Sequence, residues 1–323
     1  MEKTKAPIKR LKKPFWRQWQ LMLMSIPMLM YVIIFSYLPL SGWIMAFQNF
    51  RPRFGAGVIR NFLDAEFVGL AHFITLLDAS SHTGARFLRA LTNTVGQSLL
   101  TLVLGFIFAI ALSLMLHEVR HKGIKRFIQN ILYLPHFLSW MIVTVLVSMT
   151  LALPVSGGIL NDVLMSLRII QAPIQFLAEP RFFWGIVAGA NLWRNLGWNT
   201  IIYMSAMTAI DPNLYEAASI DGANRYHKMW HITLATISPT IILLIIMNIG
   251  WLLASGFEIQ FFLGTGPSIA RAENIDIFVL RFGIEEHNFG LATAAGVFRT
   301  GVSILLLLAA NLLSKLMKQE TLF

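Results

Sequence analysis

The chain has 323 residues, of which 56% are hydrophobic and only 13% charged. A soluble domain carries about 25% charged residues, so this composition excludes an ordinary soluble protein and indicates the membrane class. The lack of cysteine excludes disulfides, thiolate metal sites and thiol nucleophiles, and the net charge of +10 is not a nucleic-acid signature, because seven of the 26 basic residues crowd into the first 17 positions (Lys3, Lys5, Lys9, Arg10, Lys12, Lys13 and Arg17).

That basic run precedes an apolar stretch from Leu21 to about Phe47, a topology signal first and a contact for anionic lipid second. The stretch is longer than the roughly 7–15 apolar residues of a signal peptide and reads as a retained first span. Pro27 and Pro39 should kink it. Five further segments reach the roughly 20 apolar residues that a bilayer requires: about 91–116, 130–153, 184–210, 235–256 and 289–316. The expectation is an all-α polytopic membrane protein of six transmembrane helices. A basic segment (1–20) precedes a six-helix membrane domain (21–316), and a short tail (317–323) follows.

Basic residues orient the spans. With the N-terminus inside, 15 of the 26 lie on the cytoplasmic pieces, nine on the outer loops, and Arg194 and Arg299 within spans. All ten lysines fall inside, and six spans return the C-terminus to the cytoplasm. The outer loops 48–90, 154–183 and 257–288 should form re-entrant turns and short helices.

The cytoplasmic loop 211–234 is the most informative. Asp211 can accept the first free N–H groups of a helix, and Pro212 at its first position wastes no donor. Residues 213–219 then make two turns that present Glu216, Ala217 and Ala218 together, and Gly222 permits a left-handed end. The small alanines let another surface approach closely, while Glu216 offers one charge. From Arg225 to His231 the chain should begin the fifth span.

These residues resemble the EAA motif of binding-protein-dependent ABC importer permeases. Glu216-Ala217-Ala218 is followed by Gly222, and Ile232-Thr233-Leu234 follows after a nine-residue interval. Ala235 stands where that family has proline, and the next proline is Pro239. Residues 36–50, 133–140 (YLPHFLSW), 192–198 (LWRNLGW) and 209–223 are similar to the oligosaccharide branch of those type I permeases. They come closest to importers of plant or algal oligosaccharides such as alginate. The resemblance implies the type I permease fold in the bacterial inner membrane, with a second homologous permease and two ATP-binding cassette subunits. ATP and Mg would bind those subunits, one of which takes the EAA helix in a cleft. An extracytoplasmic solute-binding protein would deliver the sugar.

The chain itself lacks a G-x-x-x-x-G-K-[ST] loop, so ATP would bind elsewhere. No Asp or Glu falls within the six expected spans; Glu118, Asp211 and Glu258 lie at their ends. This disfavours the alternative, an ion-coupled sugar carrier or channel working without ATP. The pairs His117/His121 and His227/His231 share metal-ligand spacing but lack a third ligand, and no nucleophile elbow is present. No enzyme site, and no cofactor or metal on this chain, is expected.

Substrate contact is expected near the two intramembrane arginines. Arg194 and Arg299 each lie roughly ten residues into a span, about 15 Å deep, and should face a wet cavity or a partner. Their guanidinium groups would suit the carboxylate of a uronate. Asn191, Asn195 and Asn199 add amides, Asn248 sits at a similar depth, and Trp193 and Trp198 offer flat faces to pyranose rings. If the fourth span begins nearer Leu192, Arg194 instead snorkels to the outer interface and the two tryptophans form an aromatic belt.

Overall fold

The computed structural model describes residues 19–316 apart from 54, 56, 157 and 255. The basic run at the N-terminus and the tail 317–323, with the expected side of both termini, therefore lie outside the described residues. The first span, α1 (Trp19–Phe47), is helical throughout but not uniform. Pro27 lies in its α-helical part, a π turn covers Ile33–Tyr37, and Pro39 opens a 3₁₀ stretch over Leu38–Phe47. Proline donates no N–H, so the hydrogen-bond spacing changes around it. Its side chains are largely exposed, Met24 by 73% and Met28 by 74%.

The next loop holds an antiparallel pair that the sequence reading did not expect: β1 (Gln48–Asn49) against β2 (Glu66–Phe67). Two residues per strand leave no alternation to read. Then α2 (His82–Glu118) runs 37 residues, about 55 Å at 1.5 Å per residue. It begins nine residues before the expected start at 91, because Arg86 and Arg89 look like loop in a hydropathy reading. Ser81 caps it, its hydroxyl accepting from Gly84 N at 2.9 Å.

The third expected span, 130–153, is not one straight helix. α3 (Lys122–Phe137) and α4 (Trp140–Leu151) meet at 102°. Pro135 lacks the donor that a continuous helix needs, and Ser139 restarts the chain by capping Ile142 N. α5 (Phe183–Thr208) follows, then α6 (Pro212–Ile220). α7 (Arg225–Gly250) contains a π turn at Met229–Leu234, just before Ala235, and continues through Pro239. The kink expected from a motif proline is here a widened turn without one. α8 (Ile275–Leu280) precedes α9 (Phe289–Leu316), whose bounds are those read from sequence.

Four helices, α1, α2, α7 and α9, are long and apolar enough to cross a membrane, and the bent α3/α4 pair makes a fifth if it is one span. The six expected spans are thus not all matched. The exception is α5: at 26 residues it is long enough, but Asn191, Arg194, Asn195 and Asn199 dilute its apolar character.

The α2–α5 interface is the most extensive in the molecule. Three apolar clusters fix the frame. Phe87, Ile275, Phe278 and Leu291 join α2, α8 and α9. Val143, Phe183, Val187 and Ile259 join α4, α5 and the helix Phe257–Leu263. Ala109, Tyr203, Met207 and Ile237 join α2, α5 and α7.

Beside the first cluster lies an ionic clamp that sequence reading missed. Glu273, with its side chain only 4% exposed, takes Arg86 Nη2 at 2.7 Å and Arg281 Nη1 at 3.2 Å. Asn93 donates to the carbonyls of Ala270 and Glu273, and Thr94 Oγ1 accepts from Ile275 N. The loop ahead of α8 is therefore held to α2 by charge and backbone together. Removing one partner strands buried charge, so Glu273→Ala should cost about 3 kcal/mol. A marked fall in the apparent melting temperature of the solubilised protein checks this; an unchanged one would mean that the clamp bears no stability.

Candidate functional site

A cavity of about 330 Å³ opens between α2, α5 and α7. From α2 it takes Ser98, Thr101 and the small Gly105; from α5, Asn191, Asn195, Asn199 and Tyr203; from α7, Asn248, with Trp251 just past its end. Asn191, Asn195 and Asn199 are four apart, so helical geometry sets them on one face. Among the described residues no charged side chain lines the space.

The amides are held in defined orientations. Asn191 Nδ2 donates to Val187 O at 3.0 Å and Asn248 Nδ2 to Leu244 O at 2.7 Å, which leaves both side-chain oxygens as acceptors. Asn195 is turned the other way. Its Oδ1 accepts from Arg194 Nη1 at 3.1 Å and lies 3.1 Å from His136 Nδ1, so its NH₂ group is the part left to donate. A wall with fixed donors and acceptors and no charge suits a polyhydroxylated ligand.

Arg194 stands behind this wall, not in it. Its Nε donates to Leu138 O at 3.1 Å, and its guanidinium lies 4.5 Å from the centre of the Trp140 ring. Leu138 O is freed for it by the break between α3 and α4. Arg299 is also not free: it pairs with Asp276 of α8. Trp193 and Trp198 are about half exposed and lie outside the cavity lining; Trp198 stacks on His136 at 4.6 Å. Of the two outcomes expected for these arginines, a wet cavity or a partner, each meets a partner and neither lines the cavity. A hydropathy scan does not see that one finds it on a helix 23 residues away and the other at a broken helix.

The second assembly is the α6 foot. Asp211 accepts from Asn213 N at 3.0 Å, and Pro212 occupies the first turn. The helix ends in a paired turn: Gly222 N donates to Ser219 O and Ala223 N to Ala218 O, with Gly222 at φ +78°. That conformation is open to glycine without strain. The helix is tied to α7 by Tyr215 Oη to Thr233 Oγ1 at 2.9 Å and by Lys228 Nζ to Ser219 Oγ at 2.6 Å. Arg225 in turn reaches Glu118 at the end of α2 at 3.0 Å. Glu216 and Ala217 are exposed, Ala218 partly so, and Glu216 makes no ion pair among the described residues. His227 and His231 lie beside the foot with rings 5.8 Å apart.

Residues 101–319 match the family described as binding-protein-dependent transport system inner membrane component. The chain belongs to that family. This permease is 39% identical over 98% of its length to a polygalacturonan/rhamnogalacturonan transport system permease protein of Bacillus subtilis, covering 94% of that protein. It is 37% identical to the protein LplB of the same organism, over 97% of this chain and 92% of the relative. Among solved structures it is similar to a bacterial ABC transporter involved in the import of the acidic polysaccharide alginate (TM-score 0.81, 35% identity, 93% of this chain and 96% of that one). It is also similar to a bacterial alginate ABC transporter in complex with an alginate pentasaccharide-bound periplasmic protein (TM-score 0.84, 34% identity, 97% and 100%). The permease is thus a multi-pass membrane component of an ABC transporter.

The two assemblies of this permease share helices. α7 lines the cavity with Asn248 and is bolted to the foot at Thr233 and Lys228, while α2 lines it with Thr101, pairs through Glu118 with Arg225 at the start of α7, and sets the His117 ring 6.1 Å from that of Tyr215 in the foot. A displacement of α6 therefore has a short covalent and hydrogen-bonded route to two cavity walls.

Proposed function

We propose that this chain is one of two permease subunits of an ATP-driven importer that moves oligosaccharides, acidic ones foremost, across the bacterial inner membrane by alternating access. The observation that carries this is the uncharged, amide-lined cavity sharing α2 and α7 with an exposed foot. Relatives described as carrying polygalacturonan/rhamnogalacturonan and alginate support the substrate class.

In this reading residues 21–316 form the membrane domain and 211–234 its coupling loop, with the segments 1–20 and 317–323 in the cytoplasm. A second homologous permease completes the pathway, two ATP-binding cassette subunits bind ATP and Mg, and a periplasmic solute-binding protein delivers the sugar. Closure of the ATPase pair pushes on Ala217 and Ala218 and engages Glu216. Because Tyr215 and Lys228 fasten the foot to α7, the push tilts α7 and reshapes the cavity. Sugar hydroxyls meet the free oxygens of Asn191 and Asn248, and acceptors meet the NH₂ of Asn195. A uronate carboxylate would find that same NH₂, polarised by Arg194 one hydrogen bond behind it.

The test is uptake into vesicles bearing the assembled transporter. ATP inside, with the loaded binding protein outside, should drive accumulation; uptake that proceeds without ATP on an ion gradient would refute the reading in favour of an ion-coupled carrier. Asn248→Leu should lower uptake about tenfold, the worth of one lost hydrogen bond.

A further inference from the structure

With no charged group lining the cavity, the strongest interaction available to a carboxylate lies outside it. Trp184 shares the face of α5 that carries Asn191 and Asn195, two turns or about 10 Å nearer the helix N-terminus. Its indole fills the place a side chain at residue 96 would take, since a Cβ on Gly96 would come within 2.4 Å of the ring. Arg271, from the short helix Ile269–Ala272, holds its guanidinium carbon 5.0 Å from the centre of that ring.

Two details set this pair apart from ordinary packing. First, Arg271 is exposed and has no ion pair among the described residues, whereas its basic neighbours are neutralised: Arg86 and Arg281 by Glu273, Arg299 by Asp276, Arg181 by Glu179. Second, the Trp184 Nε1–H is buried without an acceptor among the described residues. A buried donor with no acceptor carries a desolvation cost that an all-carbon side chain at this position would not carry.

We propose that Trp184 and Arg271 form an outer subsite that receives the acidic unit of an incoming oligosaccharide before it enters the amide-lined cavity. The proposal rests on the importer reading above and deepens it. The indole is a flat apolar disc of the kind that packs on a pyranose face, and the guanidinium edge offers two parallel N–H donors to a carboxylate. Stacking on the ring holds that edge in one orientation while leaving its charge unspent. From here Asn191 and Asn195 lie along the same helical face, so a bound chain would extend inward without turning.

The experiment measures ATP-driven uptake of a tetrauronate and of its carboxyl-reduced counterpart, in vesicles carrying the assembled transporter. Wild type, Arg271→Gln, Arg271→Lys and Trp184→Phe are compared. Arg271→Gln should lower kcat/KM for the tetrauronate about tenfold and leave the reduced sugar within about twofold. Arg271→Lys, which keeps the charge but not the fork, should fall between. Trp184→Phe should weaken both sugars together, because it trims the disc and not the charge. Equal losses for both sugars in Arg271→Gln, or no loss in either, would overturn the subsite while leaving the importer intact. Wild-type vesicles that take up neither sugar with ATP would refute the importer reading and the subsite with it.

Discussion

Glu216→Lys should leave the chain folded and inserted at normal levels, yet lower ATP-driven uptake at least about thirtyfold. The residue is exposed on α6 and takes part in no ion pair among the described residues, so nothing internal depends on its charge. Reversing a charge at the centre of a docking surface is a different matter. Truncating a buried, hydrogen-bonded charge in an interface costs about 2–5 kcal/mol, and 2 kcal/mol is already about thirtyfold. The measurement pairs uptake with co-purification of the ATPase subunit. Near-normal uptake by the variant would remove α6 from the coupling route. Loss of the chain from the membrane would instead make Glu216 a structural residue.

Gly197→Ala should be among the most damaging single-methyl changes in the helical frame. A Cβ at that position would sit 2.1 Å from Leu132 O and 2.9 Å from Tyr133 Cδ1. The nearest atom is backbone, so no side-chain rotation can relieve it, and α3 and α5 must part. Overpacking costs about 1–3 kcal/mol, whereas alanine gains up to about 1 kcal/mol over glycine in a helix interior. The clash wins, and the net loss should be about 2 kcal/mol. Gly189 on the same helix is the control, since a Cβ there meets nothing within 4 Å. Gly189→Ala should be neutral or slightly stabilising. Thermal denaturation of the solubilised protein separates the two; equal melting temperatures would refute the close α3–α5 contact. The separation would also move His136 away from Asn195, so uptake should fall with stability.

What the sequence disclosed follows from which physics is local. α9 was legible to the residue because its apolar run, with Arg299 as its one interior charge, is bounded by polar residues at both ends. The α6 foot was legible too, since Asp211, Pro212 and Gly222 act within a turn of where they stand. The start of α2 was not: Arg86 and Arg89 lie in its first turns, and the acid that neutralises Arg86 is 187 residues away. The break at Pro135 was hidden because α4 is as apolar as any span, so hydropathy runs across the bend without a dip. The amides at Asn191, Asn195, Asn199 and Asn248 were singled out from the sequence as candidate substrate contacts, and the structure brings all four to one cavity. The arginines were not predictable in the same way. A guanidinium within a helix advertises its cost, but whether a substrate, a carboxylate or a backbone carbonyl meets that cost depends on elements far along the chain.

The account depends on α6 facing the compartment that holds the ATPase. The absence of cysteine makes a direct measurement simple: Ala217→Cys places one thiol on the exposed face of the foot, and a membrane-impermeant maleimide reports its side. The account predicts labelling in inside-out vesicles only, and protection from it when the ATPase subunit is added. Labelling in intact, right-side-out vesicles would contradict it.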